Sequence, residues 1–135
     1  MHKRWWWALV AALAIAIFVF TNSPLSNDRF TIEYLSRIGF LSLQDISILD
    51  TLIRKLAHML EFGIMAIAFK IALPQRRWAY PVAWLLATLL GAIDEIHQMF
   101  LPGRTPLLSD VLLDSLGACL ALLVLYFIKV RAEKS

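Results

Sequence analysis

The sequence predicts an all-α, polytopic membrane protein with four transmembrane helices and a short amphipathic outer-surface helix between the first and second. Three observations predict it. The 135-residue chain is 60% hydrophobic and only 17% charged, with a mean hydropathy of +0.70, which argues against an ordinary soluble globule. Four apolar runs approach the length needed to cross a bilayer. The charged residues are sorted between the two sides that those runs define. The length suits one domain, so residues 1–135 are assigned to a single membrane domain.

The first span, about residues 5–21, holds sixteen apolar residues from Trp5 to Phe20 and is closed by Thr21-Asn22-Ser23-Pro24. Lys3 and Arg4 ahead of it also suit a signal peptide. No small-x-small cleavage site follows before Pro24, however, and Trp5-Trp6-Trp7 has the character of an interfacial anchor, so a retained helix is expected. Next, Phe30, Tyr34, Ile38 and Leu41 recur at helical spacing, with Ser26 or Asn27 to cap the start and Gly39 to end it. That is the pattern of a short helix lying on a membrane surface. The second span, 56–73, contains His58, Glu61 and Lys70. The third, 78–97, is apolar from Trp78 to Ile93 and runs on as a polar helical turn towards Phe100. The fourth, 111–128, is interrupted only by Asp114 and Ser115. Spans of this length reach roughly 24 to 27 Å, slightly short of a hydrocarbon core of about 30 Å, and flanking Trp, Lys and Arg at the interface make up the difference.

Four spans put both termini and the turn at 74–77 on one side. That side carries eight basic residues, Lys70, Arg76, Arg77 and Lys129 among them, against the single acid Glu133. The other side carries five basic residues against nine acidic ones. The positive-inside rule therefore predicts cytoplasmic termini. A pI near 9.3 invites a nucleic-acid reading, but the basic excess is the topology signal, so no nucleic-acid partner is expected. Cys119, the one cysteine, sits in an apolar run and rules out a disulfide within the chain.

This topology brings polar residues together. The outer ends of spans two, three and four carry Arg54, Lys55, His58 and Glu61, then Asp94, Glu95, His97 and Gln98, then Asp110 and Asp114. Lys55, His58 and Glu61 share one helix face, as do Asp94, His97 and Gln98. On the fourth span Asp110, Asp114, Gly117 and Ala121 form one stripe, whose small members allow a neighbouring helix to come close. Glu61 and Asp114 lie one to two turns inside the apolar boundary, where an unpaired charge costs at least a few kcal/mol. They are expected to face the bundle or a wet cavity and to find a partner in Lys55, Arg54 or Arg104.

These residues carry a resemblance. Lys55-x-x-His58-x-x-Glu61-Phe62, then Asp94-Glu95-x-His97-Gln98-x-Phe100-x-Pro102-Gly103-Arg104, then Ser109-Asp110-x-x-x-Asp114-x-x-Gly117 resembles the VanZ-like family over roughly residues 50–130. Those are small bacterial membrane proteins named after an accessory factor in teicoplanin resistance. Met59 and Phe62 depart from the pattern, standing where members often carry a Phe and a Tyr, so a phenolic hydroxyl is missing beside Glu61. The resemblance implies a four-helix plasma-membrane protein with a link to the cell envelope and to glycopeptide tolerance.

The candidate roles stay open between chemistry and structure. Arg104, after Pro-Gly at a turn, suits a bidentate grip on phosphate or carboxylate; it equally suits neutralising Asp94, Glu95 or Asp110. Glu95 and His97 are the candidates for general acid–base catalysis, and the same pair suits an interhelical hydrogen-bond clasp. Asp110 is expected to cap the fourth helix, with Ser109 in competition. Lys55, His58, Glu61, Asp94, Gln98, Arg104, Asp110 and Asp114 form the expected ligand-binding set. His58-x-x-Glu61 and Asp94-x-x-His97 have metal-compatible spacing, but Lys55 and Arg104 stand nearby and no strong ligand signature occurs, so neither metal nor cofactor is expected. The absence of GxSxG, P-loop and GxGxxG patterns leaves esterase, nucleotidase and dehydrogenase readings without residues. The expected function is binding of an anionic envelope molecule, either a lipid-linked precursor or a lipid headgroup. The alternatives are an enzyme acting on such a lipid through Glu95 and His97, and a structural assembly partner.

Overall fold

The computed structural model describes residues 3–21, 36–37, 42–101 and 107–134. Four helices are delimited among them: α1 (Lys3–Thr21), α2 (Leu43–Ala72), α3 (Ala79–Gln98) and α4 (Leu108–Ala132), with no strand among the described residues. Phe30, Tyr34, Ile38 and Leu41, expected on the amphipathic surface helix, lie outside the described residues.

Three helices, α1, α3 and α4, are long and apolar enough to cross a membrane. The remaining one differs in kind. With 30 residues, α2 is the longest, and at roughly 45 Å it exceeds a hydrocarbon core by about half. Its C-terminal half buries Phe62, Met65, Ala66 and Phe69, while its N-terminal half carries Asp45, Asp50, Arg54 and Lys55. The helix begins at Leu43 and not near residue 56, where the apolar run starts. A helix starts where its free backbone donors are satisfied, not where hydrophobicity begins. Here the Ser42 hydroxyl accepts from the Asp45 backbone N–H at 3.2 Å, and Asp45 adds an acid to the first turn.

The burial pattern is inside out relative to a soluble protein. Asp50, Lys70, Asp94, Glu95, Gln98 and Asp114 are buried, while Leu60, Ile64, Leu89, Ile93, Leu116 and Phe127 are exposed. An apolar exterior around a partly polar interior is what a lipid solvent selects. The core is built from small residues, with Ala66, Ala72, Ala83, Ala87 and Ala118 packed around Met65, Phe69 and Leu122. Small side chains let backbones approach, which drives helix association in lipid. The closest approach joins α2 to α4. A Cβ on Gly117 would collide with the Met59 carbonyl, and one on Gly63 would stand 3.2 Å from Ala121 Cβ. Beside this crossing, Trp84 Nε1 donates to the Ser115 carbonyl at 3.1 Å and the Thr88 hydroxyl to the Ser115 hydroxyl at 2.9 Å, pinning α3 to α4.

Candidate functional site

The polar residues gather where the C-terminal ends of α1 and α3 meet the N-terminal end of α4 and the middle of α2. Asp114, nearly two turns inside α4, feels the charges of Glu95, Asp94, Asp110 and Glu61, so carboxylates from three helices share one neighbourhood. Its Cβ and one carboxylate oxygen pack 3.5 Å from where a Gly91 Cβ would stand, with the Phe62 ring edge 3.6 Å from the same point. Gly91 thus makes room on α3 for the Asp114 side chain.

Each remaining residue has a defined place. Asp94 Oδ2 accepts from Gln98 Nε2 at 2.9 Å and from the Thr21 hydroxyl at 3.5 Å, which ties the end of α1 to α3. Glu95 Oε1 accepts from the Leu107 backbone N–H at 2.6 Å. Lys55 Nζ pairs with Asp110 Oδ1 at 2.6 Å across α2 and α4. His97 lies against the Phe18 ring, centroids 4.2 Å apart, and His58 stacks at 6.3 Å over Phe62 on its own helix. Arg104 lies outside the described residues.

One expectation is corrected here. Asp110 does not cap α4: the cap position is Leu107, with no side-chain cap of its own, and Asp110 sits inside the first turn holding Lys55. Glu95 satisfies the Leu107 donor from a neighbouring helix instead. Of the cations expected beside the deep acids, Lys55 and Arg54 are described, and each holds another carboxylate. Lys55 is engaged by Asp110, and Arg54 pairs with Asp50 one turn earlier on α2 at 2.7 Å. Glu61 Oε2 and Asp114 Oδ1 are buried with no hydrogen-bond partner among the described residues.

α1 contributes what sequence reasoning passed over. Thr21 and Phe18 contact Asp94 and His97, and α1 with α2 frames an open groove of about 250 Å³ lined by Leu13, Ile17, Phe20, Ile64, Met65 and Glu61. The available signal was Thr21, the first hydrogen-bonding residue at the end of an unbroken apolar run. An apolar groove with one carboxylate wall has the chemistry to take an amphiphile: a chain along the groove, with hydroxyl, amide or ammonium donors at Glu61. Among the described residues no three His, Cys, Asp or Glu side chains converge in a metal-holding arrangement.

An apolar-skinned helical bundle with carboxylates collected inside one end has the build of an integral membrane protein with a buried polar site. The VanZ/LLP1 family model matches residues 6–129, nearly the whole chain, and this protein belongs to that family. No curated protein and no solved structure matches it.

Proposed function

We propose that the protein crosses the bacterial plasma membrane four times, α2 included. Both termini are cytoplasmic, the 26–41 segment lies on the outer surface, and the carboxylate end faces outward. There it binds an anionic envelope molecule, a lipid-linked precursor or a lipid headgroup. The partition of basic and acidic residues supports this orientation.

One observation carries the binding reading: Glu61 Oε2 and Asp114 Oδ1 are buried acceptors without partners among the described residues, and Glu61 also lines the open groove between α1 and α2. A buried polar atom left unsatisfied costs about 1–3 kcal/mol, which ligand donors would recover. In this reading an acyl or prenyl chain occupies the groove, sugar or peptide donors meet Glu61 and Asp114, and Arg104 takes the phosphate. For Glu95 the clasp role is favoured over catalysis, because one of its oxygens already holds the start of α4.

Native mass spectrometry of the protein extracted with its own lipids tests the proposal. A phospholipid-linked adduct of defined mass is expected on the wild type, weakened in Glu61→Gln and lost in Arg104→Ala. A well-folded wild type that carries no such adduct would sink it. Family membership supports one cellular consequence. Expressing cells should tolerate more teicoplanin, and Arg104→Ala should erase the gain; unchanged susceptibility with good expression removes that part.

A further inference from the structure

At the opposite end of the bundle, cations collect almost without acids. Lys70, in the last turn of α2, and Lys129, near the end of α4, both donate to Gln75 Oε1, at 3.1 and 3.2 Å. Gln75 is held in place by its own amide, which donates to the carbonyls of Ile71 at 3.2 Å and Leu73 at 3.1 Å. Lys70 is only 2% exposed, and its ammonium stands over the Tyr80 ring, 4.6 Å from the centroid. One neutral amide oxygen is thus the shared acceptor of two ammonium groups, and neither has a carboxylate partner among the described residues. Arg76 and Arg77 lie in the adjoining turn, and the one acid among the described residues at this end is Glu133. Two full charges facing one amide dipole leave an excess that a phosphate is suited to neutralise.

An apolar feature adjoins this cation pair. Between α3 and α4 runs an open groove of about 280 Å³, lined by Tyr80, Trp84, Cys119, Leu122, Leu123 and Tyr126. Tyr80 belongs to both features, since its ring carries the Lys70 ammonium and packs edge-on against Tyr126 at 5.7 Å. Lys129 follows Tyr126 by three residues, one turn further along the same face of α4. The mouth of the groove is therefore cationic and its length is apolar.

We infer that this end of the bundle binds an anionic phospholipid of the adjacent leaflet, its phosphate against exposed Lys129, with buried Lys70 adding positive charge from behind, and one acyl chain along the α3–α4 groove. A zwitterionic lipid is a poorer match, because among the described residues only Glu133 stands at this end to receive a choline or ethanolamine cation. The inference is independent of the carboxylate end.

The test uses the full chain in detergent, titrated with phosphatidylglycerol and, separately, phosphatidylcholine of the same acyl chains, with bound lipid read by native mass spectrometry. The wild type should retain phosphatidylglycerol preferentially. Lys129 is exposed, so Lys129→Gln should fold and should weaken phosphatidylglycerol binding about fivefold, the effect of one basic residue at an anionic surface, with phosphatidylcholine unaffected. Leu123→Trp, which fills the groove, should weaken both lipids. Equal retention of the two lipids by the wild type overturns the inference. So does an undiminished preference in Lys129→Gln, or unchanged binding in Leu123→Trp. Displacement of the lipid by equimolar inorganic phosphate would reassign the site to free anions and overturn it as a lipid site.

Discussion

At the scale of single residues, the same residue type has different roles according to what faces it. Gly117 stands where α2 comes closest, and a side chain there meets the Met59 backbone carbonyl, which cannot swing aside. Gly91 faces the Asp114 side chain at ordinary contact distance, 3.5 Å. Gly117→Ala is therefore expected to destabilise the bundle by about 1–3 kcal/mol through forced separation of α2 and α4, whereas Gly91→Ala should cost much less. Thermal unfolding in detergent distinguishes them, and equal melting temperatures would refute the tight crossing. Glu95 offers a second contrast. Its Oε1 accepts from the Leu107 N–H, a bond that a glutamine oxygen can keep and an alanine cannot. Glu95→Gln should leave the folded amount unchanged, while Glu95→Ala should cost about 1 kcal/mol, the usual effect of losing a helix N-terminal acceptor. A stable Glu95→Ala protein would show that the bond contributes nothing to folding.

At the scale of elements, α2 sets the architecture, since α1, α3 and α4 all pack on it. Its N-terminal extension past the apolar run rests on the Ser42 cap. Ser42→Ala should loosen the first turn by about 1 kcal/mol, visible as faster amide exchange at residues 43–46 with the rest of α2 unchanged. The link from α2 to the start of α4 is the Lys55–Asp110 pair, whose side chains are 32% and 30% exposed. An ion pair that open to solvent contributes about 0–1 kcal/mol. A double-mutant cycle with Lys55→Met and Asp110→Asn should return a coupling in that range, falling as salt is raised. A coupling of several kcal/mol would mean that the pair is shielded from water.

At the scale of the whole molecule, polarity is inverted along two directions. Across the bundle, leucine, isoleucine and phenylalanine face out while carboxylates face in; along it, on the four-span reading, nine acids meet five basic residues at one end and one acid meets eight at the other. The second asymmetry predicts topology. In a Cys119→Ser background, Lys134→Cys should react with a membrane-impermeant maleimide only after permeabilisation, whereas exposed Thr51→Cys should react in intact cells. The reverse pattern would overturn the outward placement of the carboxylate end.

Much of this was legible in the residues alone. Apolar runs located α1, α3 and α4 because a lipid solvent demands a continuous apolar length, and helical spacing put Asp110 and Asp114 on one stripe of α4. The true start of α2 was not legible from hydropathy, because a capping serine sets it. An interhelical clasp by Glu95 was legible, but its partner, the Leu107 N–H at the start of α4, was not, because the bond joins distant residues. Periodicity and composition thus determined where the long apolar helices form and which of their residues share a face, since both depend on local geometry and solvent. Only the tertiary structure decided which polar atoms find partners, that Lys55 goes to Asp110 while Glu61 Oε2 and Asp114 Oδ1 have none among the described residues, and that α1 walls the groove. Those outcomes depend on distances between helices, which the close approach at Gly117 fixes and no single segment encodes.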